Sequence, residues 1–450
     1  MYLINGCNLI LSVFHFARNW FNLETQIGMH KKWNIIRGVV VCLAVMFNQI
    51  SLAASSIDEA IKTVADRLEA QQVKDGIGAG RWRGEAGFTG SIVAGMVGAY
   101  ELTCDPNYRA SAELGGDYIL FVSDVGFHGD EAFALTRLSD IASDPCDNYW
   151  RTQVSDFYSN VTGSDGTKAY ITDFIGAEPS AMVFYLANYV VAAYYVNAED
   201  KQIWRQNLIE QLSRVDDSSN FPVMALGAAT WALALTGPLD ETLIDPSGKH
   251  SPWWDAKKLA DLPSLLLSHQ VPDGQPYAGS FFWQFEHGDS SSDEVVSGFT
   301  EDTIFATLGL VGAAAANPDL NLDAAILAAR QALLGGIDSE GKVYEHLWLQ
   351  GEIYCAYAGE MLQVLAELVV PGDPDIDGAA NLTDLSIFAN SRRAFNCTGC
   401  SWGNRADLDH GGEVNFVYLA SMANNWLKAK SQWVQNNKHK CLTVANTTIN

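Results

Sequence analysis

Residues 373–384 read DPDIDGAANLTD, and their oxygen-bearing side chains recur at fixed intervals. Asp373, Asp375, Asp377 and Asp384 fall at the first, third, fifth and twelfth positions, with Gly378 at the sixth and Asn381 at the ninth. A hard cation such as Ca²⁺ takes roughly six to eight oxygen ligands, and a loop of this design adds the backbone carbonyl of its seventh residue, here Ala379. The spacing predicts a calcium site; the alternative is an Asp/Gly-rich surface turn. Residues 407–418, DLDHGGEVNFVY, keep Asp407, Asp409, Gly412 and Asn415 at matching positions. Gly411 and Tyr418 replace two carboxylates there, so this second loop is expected to hold calcium weakly or not at all.

A different chemistry is offered by residues 281–302, FFWQFEHGDSSSDEVVSGFTED, with Glu286, His287, Glu301 and Asp302 beside aromatic residues. Two carboxylates with an imidazole beside aromatic residues can provide acid–base work on a sugar ring. The alternative is a solvated acidic loop that ends in a helix cap at 300–302. Residues 126–137, GFHGDEAFALTR, bring His128, Asp130 and Glu131 to the start of a helix. There Asp130 is equally the negative charge that a helix N-terminus favours. Arg83 and Glu85, joined by Tyr170, Asp173 and Glu178, form a third set, in which a tyrosine near a base would suit a uronate lyase. No Gly-x-Ser-x-Gly, phosphate loop or His-Glu-x-x-His occurs.

The elements that must position these groups are helices. Apolar residues recur with a 3.6-residue period from Ser56 to Gln72, at Ile57, Ala60, Ile61, Val64, Ala65 and Leu68. Further helices are expected at 88–103, 107–123, 129–142, 147–161, 179–197, 199–215, 222–236, 254–268, 299–316, 322–335 and 351–368. Some are apolar nearly all round and others are charged on one side, the pattern that two layers of helices require. An internal repeat runs through them. LEAQQVKDG at 68–76 precedes Gly80, Trp82 and a small-residue-rich helix; LLSHQVPDG at 266–274 precedes Gly279, Phe282, Trp283 and another. A weaker third copy starts at Gly335.

The repeat turn, Gln72…Gly76…Trp82 and Gln270…Gly274…Trp283, resembles that of the α/α-toroid superfamily, which includes terpenoid cyclases and prenyltransferases. The resemblance implies an all-α body at 55–370, an (α/α)6 toroid of about six helical hairpins, with any active site at one mouth of the ring. The same barrel serves glycoside hydrolases and polysaccharide lyases. Neither Asp-x-Asp-Asp nor Asp-Asp-x-x-Asp is present, which disfavours isoprenoid chemistry; the run from Asp216 to Asn220 lacks the last carboxylate. Residues 372–428 resemble a dockerin, a duplicated EF-hand module in which Asp closes the first loop. That resemblance implies a cohesin-like partner, although Leu382-Thr383 and Phe416-Val417 replace the paired hydroxyls of cellulosomal dockerins.

The sequence from Met29 has Lys31, Lys32 and Arg37, then an apolar run and small residues at Ser51, Ala53 and Ala54. This predicts a signal peptide at 29–54, with 1–28 upstream of the true start; a single N-terminal membrane anchor is the alternative. Residues 429–450 read as a polar tail. The net charge of −25 excludes nucleic acid as a natural partner. Past the leader no stretch is apolar enough to span a membrane. These features together predict a secreted carbohydrate-active protein, lyase or hydrolase, with polysaccharide as substrate and Ca²⁺ as cofactor. The rival is a non-catalytic toroid that binds a glycan or protein in an extracellular assembly.

Overall fold

The computed structural model describes residues 57–83, 89–121, 129–141, 149–161, 178–286, 297–317 and 319–369. Both loops expected to bind calcium (Asp373, Asp375, Asp377, Ala379, Asn381, Asp384, Asp407, Asp409 and Asn415), His287, His128 and the expected signal peptide fall outside them. The chain divides into Met1–Ser55 and Ser56–Asn450, and every described residue belongs to the second unit.

Among the described residues the chain is almost entirely helical. The α-helices are α1 (Ile57–Gln71), α2 (Thr89–Thr103), α3 (Pro106–Phe121), α4 (Gly129–Asp140), α5 (Tyr149–Val161) and α6 (Pro179–Tyr195). They continue as α7 (Lys201–Leu212), α8 (Pro222–Thr236), α9 (Leu262–Ser268), α10 (Thr300–Ala316), α11 (Asp323–Gly335) and α12 (Cys355–Leu368). One antiparallel hairpin, β1 (Tyr344–His346) with β2 (Gln350–Ile353), precedes α12.

Two expected helices are shorter than their periodicity implied. The segment expected at 254–268 is helical only in α9, after single 3₁₀ turns at Pro252–Trp254 and Leu259–Asp261. Ala256 between those turns has φ 59°, which no continuous helix accommodates. The helix expected from 351 begins at Cys355, because residues 350–353 pair with β1 instead.

Even- and odd-numbered helices differ in kind. In α8 nearly every residue is buried, and α2, α6 and α10 are buried over long unbroken runs. By contrast α1 buries one stripe and turns Asp58, Glu59, Lys62 and Asp66 away from it. A helix apolar all round must be covered on every side, so the even helices need the odd ones outside them. Packing follows that logic. Helix α2 packs on α4, α4 on α6, α6 on α8, α8 on α10, α10 on α12, and α12 back on α2. Each odd helix packs on the even helices that flank it. The α2–α12 seam is a close approach, because Gly95 faces the Gly359 carbonyl with no room for a Cβ on either helix. Further along, Gly98 meets Ala366, so α2 and α12 run in the same direction.

The repeat turns act as latches. Gln72 donates from Nε2 to the Gly80 carbonyl (3.0 Å) and to the Ser111 carbonyl of α3 (2.8 Å). Gln270 does the same to Gly279 (3.1 Å) and to Ala325 of α11 (2.8 Å). Gln72 bridges to Trp82, but Gln270 bridges to Phe281 rather than to Trp283, so the expected correspondence is off by two residues. Trp283 instead accepts the Val223 N–H at the start of α8 (3.3 Å). In each latch a glycine with positive φ (Gly80 98°, Gly279 88°) lies against a carbonyl of the next odd helix. The third copy repeats the arrangement: Gly341, at φ 73°, lies against the Thr63 carbonyl of α1.

Candidate functional site

The first turns of the even helices meet at one end of the body, and their exposed N–H groups explain which residues gather there. The first four N–H groups of a helix lack internal acceptors and carry positive partial charge. Neighbouring even helices supply those acceptors to one another. Asp130 in α4 accepts the Ser91 N–H of α2, Ser180 in α6 accepts Phe221 at the start of α8 (3.1 Å), and Asp302 in α10 accepts Met224 of α8 (3.1 Å). Asp130 and Asp302 are 5% and 2% exposed. Burial pushes the Asp130 carboxyl up to about 6, and its Oδ1 has no hydrogen-bond partner. Burial, with the nearby charge of Glu301 adding to it, holds Asp302 well above the usual carboxylate range.

Glu301 precedes Asp302 on α10 and is half-buried. Burial first, and Glu345 of β1 second, push its carboxyl up to about 7. The β1 strand is fixed to α10 by the Thr300 hydroxyl, which donates to the Tyr344 carbonyl (2.6 Å), and by the Leu347 N–H, which donates to Gly298 (3.0 Å). Two tyrosines report the same assembly. Burial raises Tyr185 of α6, with Asp130, Glu131, Glu301 and Glu360 adding to the shift. Burial also raises Tyr357 of α12, with Glu301, Glu345, Glu360 and Glu352 adding. Glu360, 3% exposed, therefore acts on both phenols from α12.

The structure thus brings Asp130 to the same end of the even helices as the adjacent pair Glu301 and Asp302, although α4 and α10 are distant in sequence. Glu286 is exposed beside an aromatic stack, with its N–H donating to Asp217 (3.1 Å to Oδ2). In that stack Phe285 lies on Trp253 with centroids 3.8 Å apart and planes 15° apart, and the Lys257 ammonium covers the indole at 3.9 Å. Both faces of Trp253 are thereby occupied. Asp216 caps the Ser218 N–H (2.9 Å), in keeping with a turn role for the Asp216–Asn220 run. Glu178 caps α6 through Ala181 (3.0 Å). Sequence reasoning missed Glu360, Glu345, Tyr185 and Tyr357. The one signal for Glu360 was an acid inside an otherwise uncharged run, Ala356 to Leu362.

Chemically, a carboxyl that keeps its proton near neutrality can donate it to a leaving oxygen, while an ionised neighbour activates water or steadies positive charge. Among the described residues, no group of three or more His, Cys, Asp and Glu is arranged to hold a metal ion, and no helix is long and apolar enough to cross a membrane. The chain matches no family model and no curated protein.

Proposed function

We propose that this is a secreted carbohydrate-active protein whose body is an (α/α)6 toroid acting on a polysaccharide at the end where the even helices begin. The order of helix contacts, α2 through α12 and back to α2, supports the toroid. The observation that carries the activity is Glu301, a carboxyl with its titration moved up to about 7 by burial and by Glu345, among further acids and two tyrosines. Asp130 and Asp302 are spent on capping neighbouring helices, which leaves Glu301 as the proton donor and Glu345, whose charge acts on it, as the second carboxylate. The spacing of Asp373, Asp375, Asp377, Asn381 and Asp384 supports a calcium-binding dockerin-like module, and with it attachment to a cohesin-like partner.

The test is a polysaccharide panel applied to the full chain, reading new reducing ends for hydrolysis and the absorbance of unsaturated uronates for elimination. Hydrolysis is expected, and Glu301→Gln should abolish it. Glycan binding with no product from any substrate would favour the non-catalytic toroid instead.

A further inference from the structure

The hairpin beside Glu301 carries a feature that proton transfer does not use. Its turn presents Trp348, 55% exposed, followed by Leu349 at φ 59°. A non-glycine residue in the left-handed region is uncommon and marks a locally strained turn. Trp348 is steadied on one side by Tyr277, edge to face with centroids 5.0 Å apart. At the far end of β2, Tyr354 is 41% exposed and packs edge to face on Tyr357 (5.3 Å), the phenol that feels Glu301 and Glu360. Large aromatic side chains held by neighbours yet open to water offer contact area at low entropic cost. The apolar faces of sugar rings are a natural match for them.

Charge decides which sugars. The groups that act on Tyr357 are Glu301, Glu345, Glu360 and Glu352, and all are acidic. Those that act on Tyr185 are also acidic. A uronate chain would enter this field against like charge, whereas an uncharged glycan would not.

We propose that Trp348 and Tyr354 form a stacking subsite for an uncharged glycan that leads to Glu301. The proposal rests on the carbohydrate reading above and narrows its substrate to neutral polysaccharides.

Calorimetry of the full chain against neutral gluco-, xylo- and manno-oligosaccharides, with oligogalacturonate as the anionic comparison, tests it. A neutral oligosaccharide should bind, and Trp348→Ala and Tyr354→Ala should each weaken it about tenfold, a loss of about 1.4 kcal/mol. Trp348→Phe should recover most of that loss, and an unchanged thermal melt should accompany all three variants. Tighter binding of oligogalacturonate overturns the charge argument. Unaltered affinity in Trp348→Ala overturns the subsite while leaving hydrolysis by Glu301 intact. Failure of every glycan to bind or react overturns the carbohydrate reading and this proposal with it.

Discussion

The Asp302 carboxylate accepts the Met224 N–H at 3.1 Å, so the first turn of α10 caps the first turn of α8. Burial holds Asp302 well above the ordinary carboxylate range, so it has more to lose from charge than from substitution by a neutral acceptor. Asp302→Asn should therefore be at least as stable as the parent at neutral pH. Asp302→Ala should lose about 1–3 kcal/mol, because a buried N–H is left without a partner. Urea unfolding distinguishes the two, and equal destabilisation by both would mean that the charge itself is needed.

Glu301 makes stability depend on pH in a fixed direction. Its carboxyl titrates at about 7 in the folded chain against an ordinary 4.5, so the folded state binds more protons than the unfolded state between those values. Stability should fall as pH rises through that window. Glu301→Gln should make the decline shallower, without removing it, because Asp130 and Asp302 are shifted in the same direction. The parent's hydrolytic rate should also fall above about pH 7 as the donor ionises. A melting profile equally steep in parent and variant would contradict the placement of Glu301.

The two glutamine latches should differ in cost. Gln72 is buried and satisfies two carbonyls while accepting the Ser111 hydroxyl (2.7 Å), whereas Gln270 is half-buried. Gln72→Ala should cost about 1–3 kcal/mol and Gln270→Ala less, since water can reach its partners. Denaturant midpoints of the two variants give the order directly.

Calcium should bind the full chain at a site built on the loop that begins at Asp373. Replacing Asp373 and Asp377 together by Ala should remove the calorimetric signal, and Asp407→Ala should change it little. Binding that survives the double replacement would show that the ligand set is wrong.

Much of the body was legible because its signals are periodic. The unbroken apolar run of α8 and the one-sided stripe of α1 announced helices buried all round and helices buried on one face, and both kinds are found. The turn glutamines were also visible as repeats, although the sequence could not say that Phe281 would take the place of Trp82. Three-dimensional relations left weaker traces. Asp130 read either as a catalytic candidate or as the charge at the start of its own helix, and its buried carboxylate also serves Ser91 of α2. Glu360 and Glu345 had no spacing relation to Glu301, because helix packing and a strand tie bring them together. Glu286 read as part of one acidic stretch with Glu301, and its N–H donates to Asp217 beside the Phe285–Trp253 stack.

The approach of Gly341 to Thr63 has a bearing on the order in which the chain assembles. Most helix hairpins join neighbours in sequence and lose little chain entropy on forming. The α11–α1 latch and the Gly95–Gly359 seam instead join the two ends of the helical body, where the entropy of closing the intervening chain is greatest. On chain entropy alone, hairpins are expected to form early and this junction last. The same junction should then be the first to part when the body unfolds, ahead of the hairpins.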